Sequence, residues 1–191
     1  MDEANRRAAA DQANALVTLT PPTPYDPAEH AAAMEQGTSG IDGVAFAYWK
    51  KNPIHLRAFQ EKIFAANQRV VLLPATKYVR DWYDLRKKRE NSRTKVELDP
   101  AAVNAALVAQ ADAYGRFGFR GLKPGTYYLA SSVSWNESGS RNVATGWVEG
   151  SDGSSATMYE KQGYVTSHGK VMEKFVTIKA DGEIVEVELS N

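Results

Sequence analysis

Apolar positions along this chain change period four times. "GVAFAYW" (43–49) alternates, and reads as a strand with Val44, Phe46 and Tyr48 on one face. "NPIHLRAFQEKIFAAN" (52–67) carries Leu56, Phe59, Ile63 and Phe64 at three- and four-residue steps, which predicts a helix. "QRVVLLPAT" (68–76) is a continuous apolar run ended by Pro74, as in a short strand buried on both faces. "KYVRDWYDLRKKRE" (77–90) returns to helical spacing, with Tyr78, Trp82 and Leu85 sharing a face. "LDPAAVNAALVAQ" (98–110) predicts a short helix with Asp99 as N-cap and Pro100 at its first position.

The remainder is strongly β. "YGRFGF", "TYYLASSVSW", "NVATGWVEG", "SATMYEKQGYVTS", "KVMEKFVTIKAD" and "EIVEVELS" are separated by Gly, Asn, Asp and Ser clusters, and such spacing suggests a sandwich. In the last strand Ile184 or Val185, with Val187 and Leu189, marks the half-buried face. Asp112-Ala-Tyr-Gly115 fits a type I turn. Lys123-Pro124-Gly125-Thr126 fits a type II turn, with Gly125 supplying positive φ. Leu122 would plug the end of the sandwich, and Tyr127 sits where a corner tyrosine returns its hydroxyl to nearby backbone. Each residue type has a structural job, so the stretch reads as a folded corner rather than a ligand cradle.

The pattern D-x-x-G-x-F-x-F-x-x-L-x-P-G-x-Y, carried by Asp112, Gly115, Phe117, Phe119, Leu122, Pro124, Gly125 and Tyr127, resembles carboxypeptidase-regulatory-like, transthyretin-like β-sandwich domains. "VAF" after Gly43, "VVLLPAT" (70–76) and "FVTIKADGEIVEVEL" (175–189) resemble that family's first, second and closing strands. "LLPAT" with Tyr78 and Trp82 resembles a variant found in bacterial envelope proteins, often lipoproteins. The resemblance implies a mainly β fold, a seven- to eight-stranded transthyretin-like (Ig-like) sandwich over residues 40–191, with helical insertions at 52–67 and 77–110. It also implies a non-catalytic, extracytoplasmic adhesion, spacer or docking module.

Residues 1–39 read as an arm or linker. "DEANRRAAADQANALV" is a weak Ala-rich helix former, and "TPPTPYDP" is extended. "DPAEHAAAMEQG" restarts a helix, with Asp26 as N-cap, Pro27 at N1 and Gly37 at C′. Such an arm would tether the domain or order against a partner.

Charge and composition narrow the classes. Lys plus Arg and Asp plus Glu are 23 each, so no net field recruits nucleic acid. Cysteine is absent, which excludes disulfides, a thiol nucleophile and thiolate metal sites. No apolar run approaches the roughly 20 residues of a membrane span, and the N-terminus lacks a signal-like apolar core. By the resemblance, a periplasmic or outer-membrane-associated protein is expected, with a lipid anchor on its native precursor.

Candidate chemistry is sparse. His30, His55 and His168 lack metal-ligand spacing and read as surface residues. There is no G-x-S-x-G, and the chain ends "VELSN" where the related hydroxyisourate hydrolases end "YRGS". No catalytic residue, metal site or cofactor is therefore expected. Arg86, Lys87, Lys88 and Arg89 form a basic run after Tyr78, Trp82 and Tyr83. They would either bind anionic polymers or headgroups, or complement a helix C-terminus. Trp135 and Trp147 flank the polar stretch "NESGSRNVATG", and would either stack on sugars and partners or fill the core. The expected function is a non-catalytic protein–protein or structural module of a bacterial envelope complex. Glycan or anionic-polymer binding, and a subunit role in a viral or other large assembly, are the alternatives.

Overall fold

The computed structural model describes residues 16–49 and 61–191. The expected helix before Leu16, His55, and the greater part of the expected 52–67 helix lie outside those residues. The described chain is mainly β, with ten strands and three helices: β1 (Val17–Leu19), α1 (Pro27–Ala33), β2 (Ser39–Trp49), β3 (Glu61–Phe64), β4 (Arg69–Pro74), α2 (Lys77–Arg89), β5 (Thr94–Val96), α3 (Pro100–Asn104), β6 (Leu107–Gln110), β7 (Arg116–Leu122), β8 (Gly125–Glu149), β9 (Ser155–Ile178) and β10 (Ile184–Leu189).

Two open four-stranded sheets face each other. In the first, β2 is central: β10 pairs with it in parallel, β7 pairs with its first half, and β3 with its second. The second runs β6-β4-β8-β9, all antiparallel. Alternation dictates the shared core. Ile41, Ala45, Phe117, Phe119, Val187 and Leu189 point inward from one sheet; Val70, Leu72, Tyr127, Leu129, Met172 and Ile178 do so from the other. In β10 Val187 and Leu189 are buried and Val185 partly so on the same face, while Ile184 is exposed.

A second apolar cluster covers the outer face of the β4–β8–β9 sheet. There α2 lays Tyr78, Val79 and Trp82 over Leu73 and Tyr128, with Tyr83 against Phe175. Strand β4 is thus buried on both faces, as its unbroken apolar run predicts. Trp82 Nε1 donates to the Val96 carbonyl at 3.1 Å, so its buried donor is satisfied. Residues 16–39 pack onto this layer. Strand β1 pairs with β5, Tyr25 meets Tyr78 edge-on, and His30 is buried with Nε2 at 3.3 Å from the Ala105 carbonyl. The surface position expected for His30 is therefore corrected: packing of α1 beside α3 encloses it.

The corner forms as its residues dictate. Gly115 N–H closes the Asp112 turn at 3.0 Å, and the Asp112 carboxylate accepts from the backbone N–H of Tyr114 and Arg116. Tyr127 donates to the Lys123 carbonyl at 2.8 Å, and Leu122 is buried in the core. One detail differs. Positive φ is found at Gly115 and Gly121 (74° each), not at Gly125, which already begins β8.

Other corrections concern where strands replace predicted breaks. Residues 61–64 are strand, because Phe46, Ala47, Tyr48 and Trp49 offer them a β2 edge. The 98–110 helix stops at Asn104, and Leu107–Gln110 pairs with β4. Helix α1 ends near Met34 rather than at Gly37, whose N–H donates to the Gly121 carbonyl. The four segments between Thr126 and Asp181 merge into two strands, β8 and β9, which pair along their whole length. Gly139, Gly163 and Gly169 run straight through, since continuous cross-strand hydrogen bonding outweighs their local preference for turns.

Candidate functional site

The β8–β9 hairpin outruns the rest of the fold. Strand β4 pairs with β8 only from Tyr127 to Ser131, and beyond Trp135 the two strands continue alone to the 150–154 turn. At about 3.3 Å per residue this ribbon projects some 45 Å. Its residues are almost entirely exposed, Trp147 (68%), Met158 and Tyr159 among them.

An aromatic and polar cluster sits where the ribbon leaves the body. Trp135 and His168 are directly opposite in the β8–β9 register, with rings stacked at 5.5 Å and 20°. Trp49, at the end of β2, meets both, its ring centroid 5.9 Å from each. His168 Nε2 donates to the Glu137 carboxylate at 3.1 Å; Glu137 lies two residues beyond Trp135 on the same face. All four residues are half-buried, and the Trp135 indole N–H, itself covered, finds no acceptor among the described residues. Apolar ring surface beside a carboxylate and an imidazole can hold a ligand with an apolar face and hydroxyl edges.

A His–carboxylate pair is also half of a nucleophile-activating triad. The adjacent Ser167, however, lies on the opposite face of the ribbon, hydrogen-bonded to Asn136 at 2.8 Å. Among the described residues no cluster of three or more His, Asp or Glu is placed to hold a metal.

Of the residues singled out by sequence, Trp135 enters this cluster and Trp147 does not. Trp147 is twelve positions along β8, about 40 Å away. The basic run divides. Arg86 and Lys87 both bond Glu173 of β9, at 2.5 Å each, and Tyr128 donates to the same carboxylate at 2.8 Å. Burial pushes the Glu173 carboxyl up, but the bonds from Lys87 and Tyr128 and the charge of Arg86 outweigh it and hold it below the usual range. Arg86 also lies over the Trp82 ring at 4.9 Å. These two cations fasten α2 to the sheet, whereas Lys88 and Arg89 stay exposed at the helix end. Of the eight corner residues, Phe117, Phe119, Leu122 and Tyr127 are core, Asp112 and Gly115 shape the first turn, and Pro124, Gly125 and Tyr127 line a cleft of about 320 Å³ beside Thr76.

A separate groove of about 610 Å³ lies on the outer face of the β10–β2–β7 sheet, lined by Asp42, Arg116, Glu186 and Glu188 among others. Asp42 of its lining pairs with Arg120 at 2.7 Å.

Trp49 and His168 are members of this cluster that sequence reading did not single out as binding candidates. A signal for His168 existed. Extending a hairpin outward from "GSDGSS", with one bulge near Thr145, sets it opposite Trp135. Nothing local points to Trp49.

No family model matches the chain, and no curated protein matches it. No helix among the described residues is long and apolar enough to cross a membrane. The fold is similar to the crystal structure of a candidate carbohydrate-binding protein from Pseudomonas aeruginosa, with a TM-score of 0.55 and 25% identity, covering 88% of this chain and 99% of that one.

Proposed function

We propose that this chain is a non-catalytic carbohydrate-binding module whose contact surface is the Trp49–Trp135–His168–Glu137 cluster. The stacked Trp135 and His168 rings beside Glu137 carry the reading, because they set a flat apolar surface against hydrogen-bonding groups. The likeness to the Pseudomonas aeruginosa protein supports the same ligand class. Within the β architecture, the corner at 112–127 supports a transthyretin-like sandwich of the carboxypeptidase-regulatory-like kind. That resemblance favours an extracytoplasmic location, which fractionation of cells tests directly.

Titration calorimetry against retained glycans, with tryptophan fluorescence alongside, tests the reading. Trp135→Ala removes a stacking surface worth about 0.5–1.5 kcal/mol beyond simple area burial, so affinity should fall by up to about tenfold. Wild-type affinity in Trp135→Ala, or no binding to any neutral or acidic glycan, overturns it.

A second reading, a protein-docking or assembly module, is favoured by the ribbon tip, where Trp147, Val148, Met158 and Tyr159 are all more than half exposed.

A further inference from the structure

We infer that the binding surface continues up one face of the β8–β9 ribbon, and that its ligand is an extended neutral glycan chain rather than a single sugar. This rests on the carbohydrate reading above and adds the length, direction and charge of the ligand.

Strand alternation places Trp135, Glu137, Gly139 and Arg141 of β8 on one face, opposite His168, Thr166, Tyr164 and Gln162 of β9. The rungs differ in kind. Trp135 and His168 make an aromatic rung; Glu137 and Thr166 make a polar one. At the next, the Tyr164 ring lies across Gly139, where any side chain would come within 2.5 Å of its Cζ atom. Gly139 is thus the residue that lets this ring lie flat, and Tyr164 remains 48% exposed. Arg141 follows, donating to Gln162 Oε1 at 3.4 Å. Ring surfaces recur four positions apart, about 13 Å, farther than one sugar ring reaches. Planar carboxylate, guanidinium and amide groups lie on either side of the Tyr164 rung, and each can pair with neighbouring hydroxyls.

Over the same four rungs the opposite face has no aromatic ring: Asn136, Ser138, Ser140 and Asn142 face Ser167, Val165, Gly163 and Lys161, and Tyr159 appears there only one rung farther out, opposite Ala144. Charge selects among chains. Glu137 and Glu160 offset Arg141 on the aromatic face, so it carries no excess of positive charge for a polyanion.

The full chain should first be tested for retention on cellulose, chitin, mannan, xylan and β-glucan. Soluble oligomers of a retained polymer, from disaccharide to octasaccharide, are then titrated. Affinity should rise at least tenfold between the shortest and longest. Tyr164→Ala should abolish that rise while leaving the disaccharide unchanged, and Tyr164→Phe should restore it. Trp135→Ala should weaken every length. Retention on none of the polymers overturns the carbohydrate reading and this inference together. Binding that ignores chain length, or a length effect that survives Tyr164→Ala, overturns this inference alone. Preference for alginate or heparin, lost at high salt, overturns the neutral-chain assignment.

Discussion

Replacing Glu173 by Gln should cost more stability than any single exposed ion pair of this protein. Its side chain is 10% exposed and receives Arg86, Lys87 and Tyr128, whereas Arg86 is itself only 18% exposed. Glutamine keeps the shape and one carbonyl acceptor but removes the more buried countercharge of Arg86, leaving it only Glu90, 39% exposed and 3.1 Å from Nε. Hydrogen bonds to charged groups contribute about 1.5–3 kcal/mol, and the retained Glu90 pair keeps the Arg86 charge from being stranded. Lys87 is 53% exposed and regains water, so its share is small. The expected loss is therefore about 2–3 kcal/mol. With a urea m-value near 2 kcal/mol/M, the unfolding midpoint should fall by about 1 M. The acid limb provides a second readout. Because the folded-state carboxyl is held below its ordinary value, its contribution is present above the unfolded pKa. It is lost as pH falls through the folded one. Wild type should thus lose stability progressively below about pH 5, and Glu173→Gln should lose less over that window. A Glu173→Gln midpoint within 0.3 M of wild type, with an unchanged acid limb, would show that the network is not what fastens α2 to the sheet.

Two further outcomes test the packing and the ribbon. Gly43→Ala should destabilise by about 2–3 kcal/mol, since the new methyl would stand 2.6 Å from the Phe117 ring and 2.7 Å from Val187. Thermal unfolding of the purified variant measures it, and an unshifted transition would mean that the Phe117 and Val187 side chains on the two flanking strands of the same sheet yield freely there. Trp147→Ala should leave stability within about 0.5 kcal/mol because the indole packs on little. Under the docking reading it should shift the light-scattering mass from oligomer toward monomer, whereas a wild-type monomer at high concentration would remove self-docking.

What sequence determined here is the chemistry that acts over a few residues. Asp26 and Asp99 cap helices with proline at the next position, and Asp112 and Tyr127 build the corner, because each partner lies within four residues. The unbroken run of β4 specified burial on both faces. Tertiary structure decided everything that depends on register and on distant partners. Residues 61–64 became strand because β2 offered an edge. The basic run became a fastening because Glu173, 87 positions from Arg86, came to lie beneath it. The strands on either side of the 150–154 turn became one long ribbon because pairing, once started, supplied every backbone group with a partner. That same register set Trp135 opposite His168, and the inter-sheet packing brought up Trp49. Local propensity has no information about contacts separated by a hundred residues, so the candidate site, unlike the corner, exists only once the chain is folded.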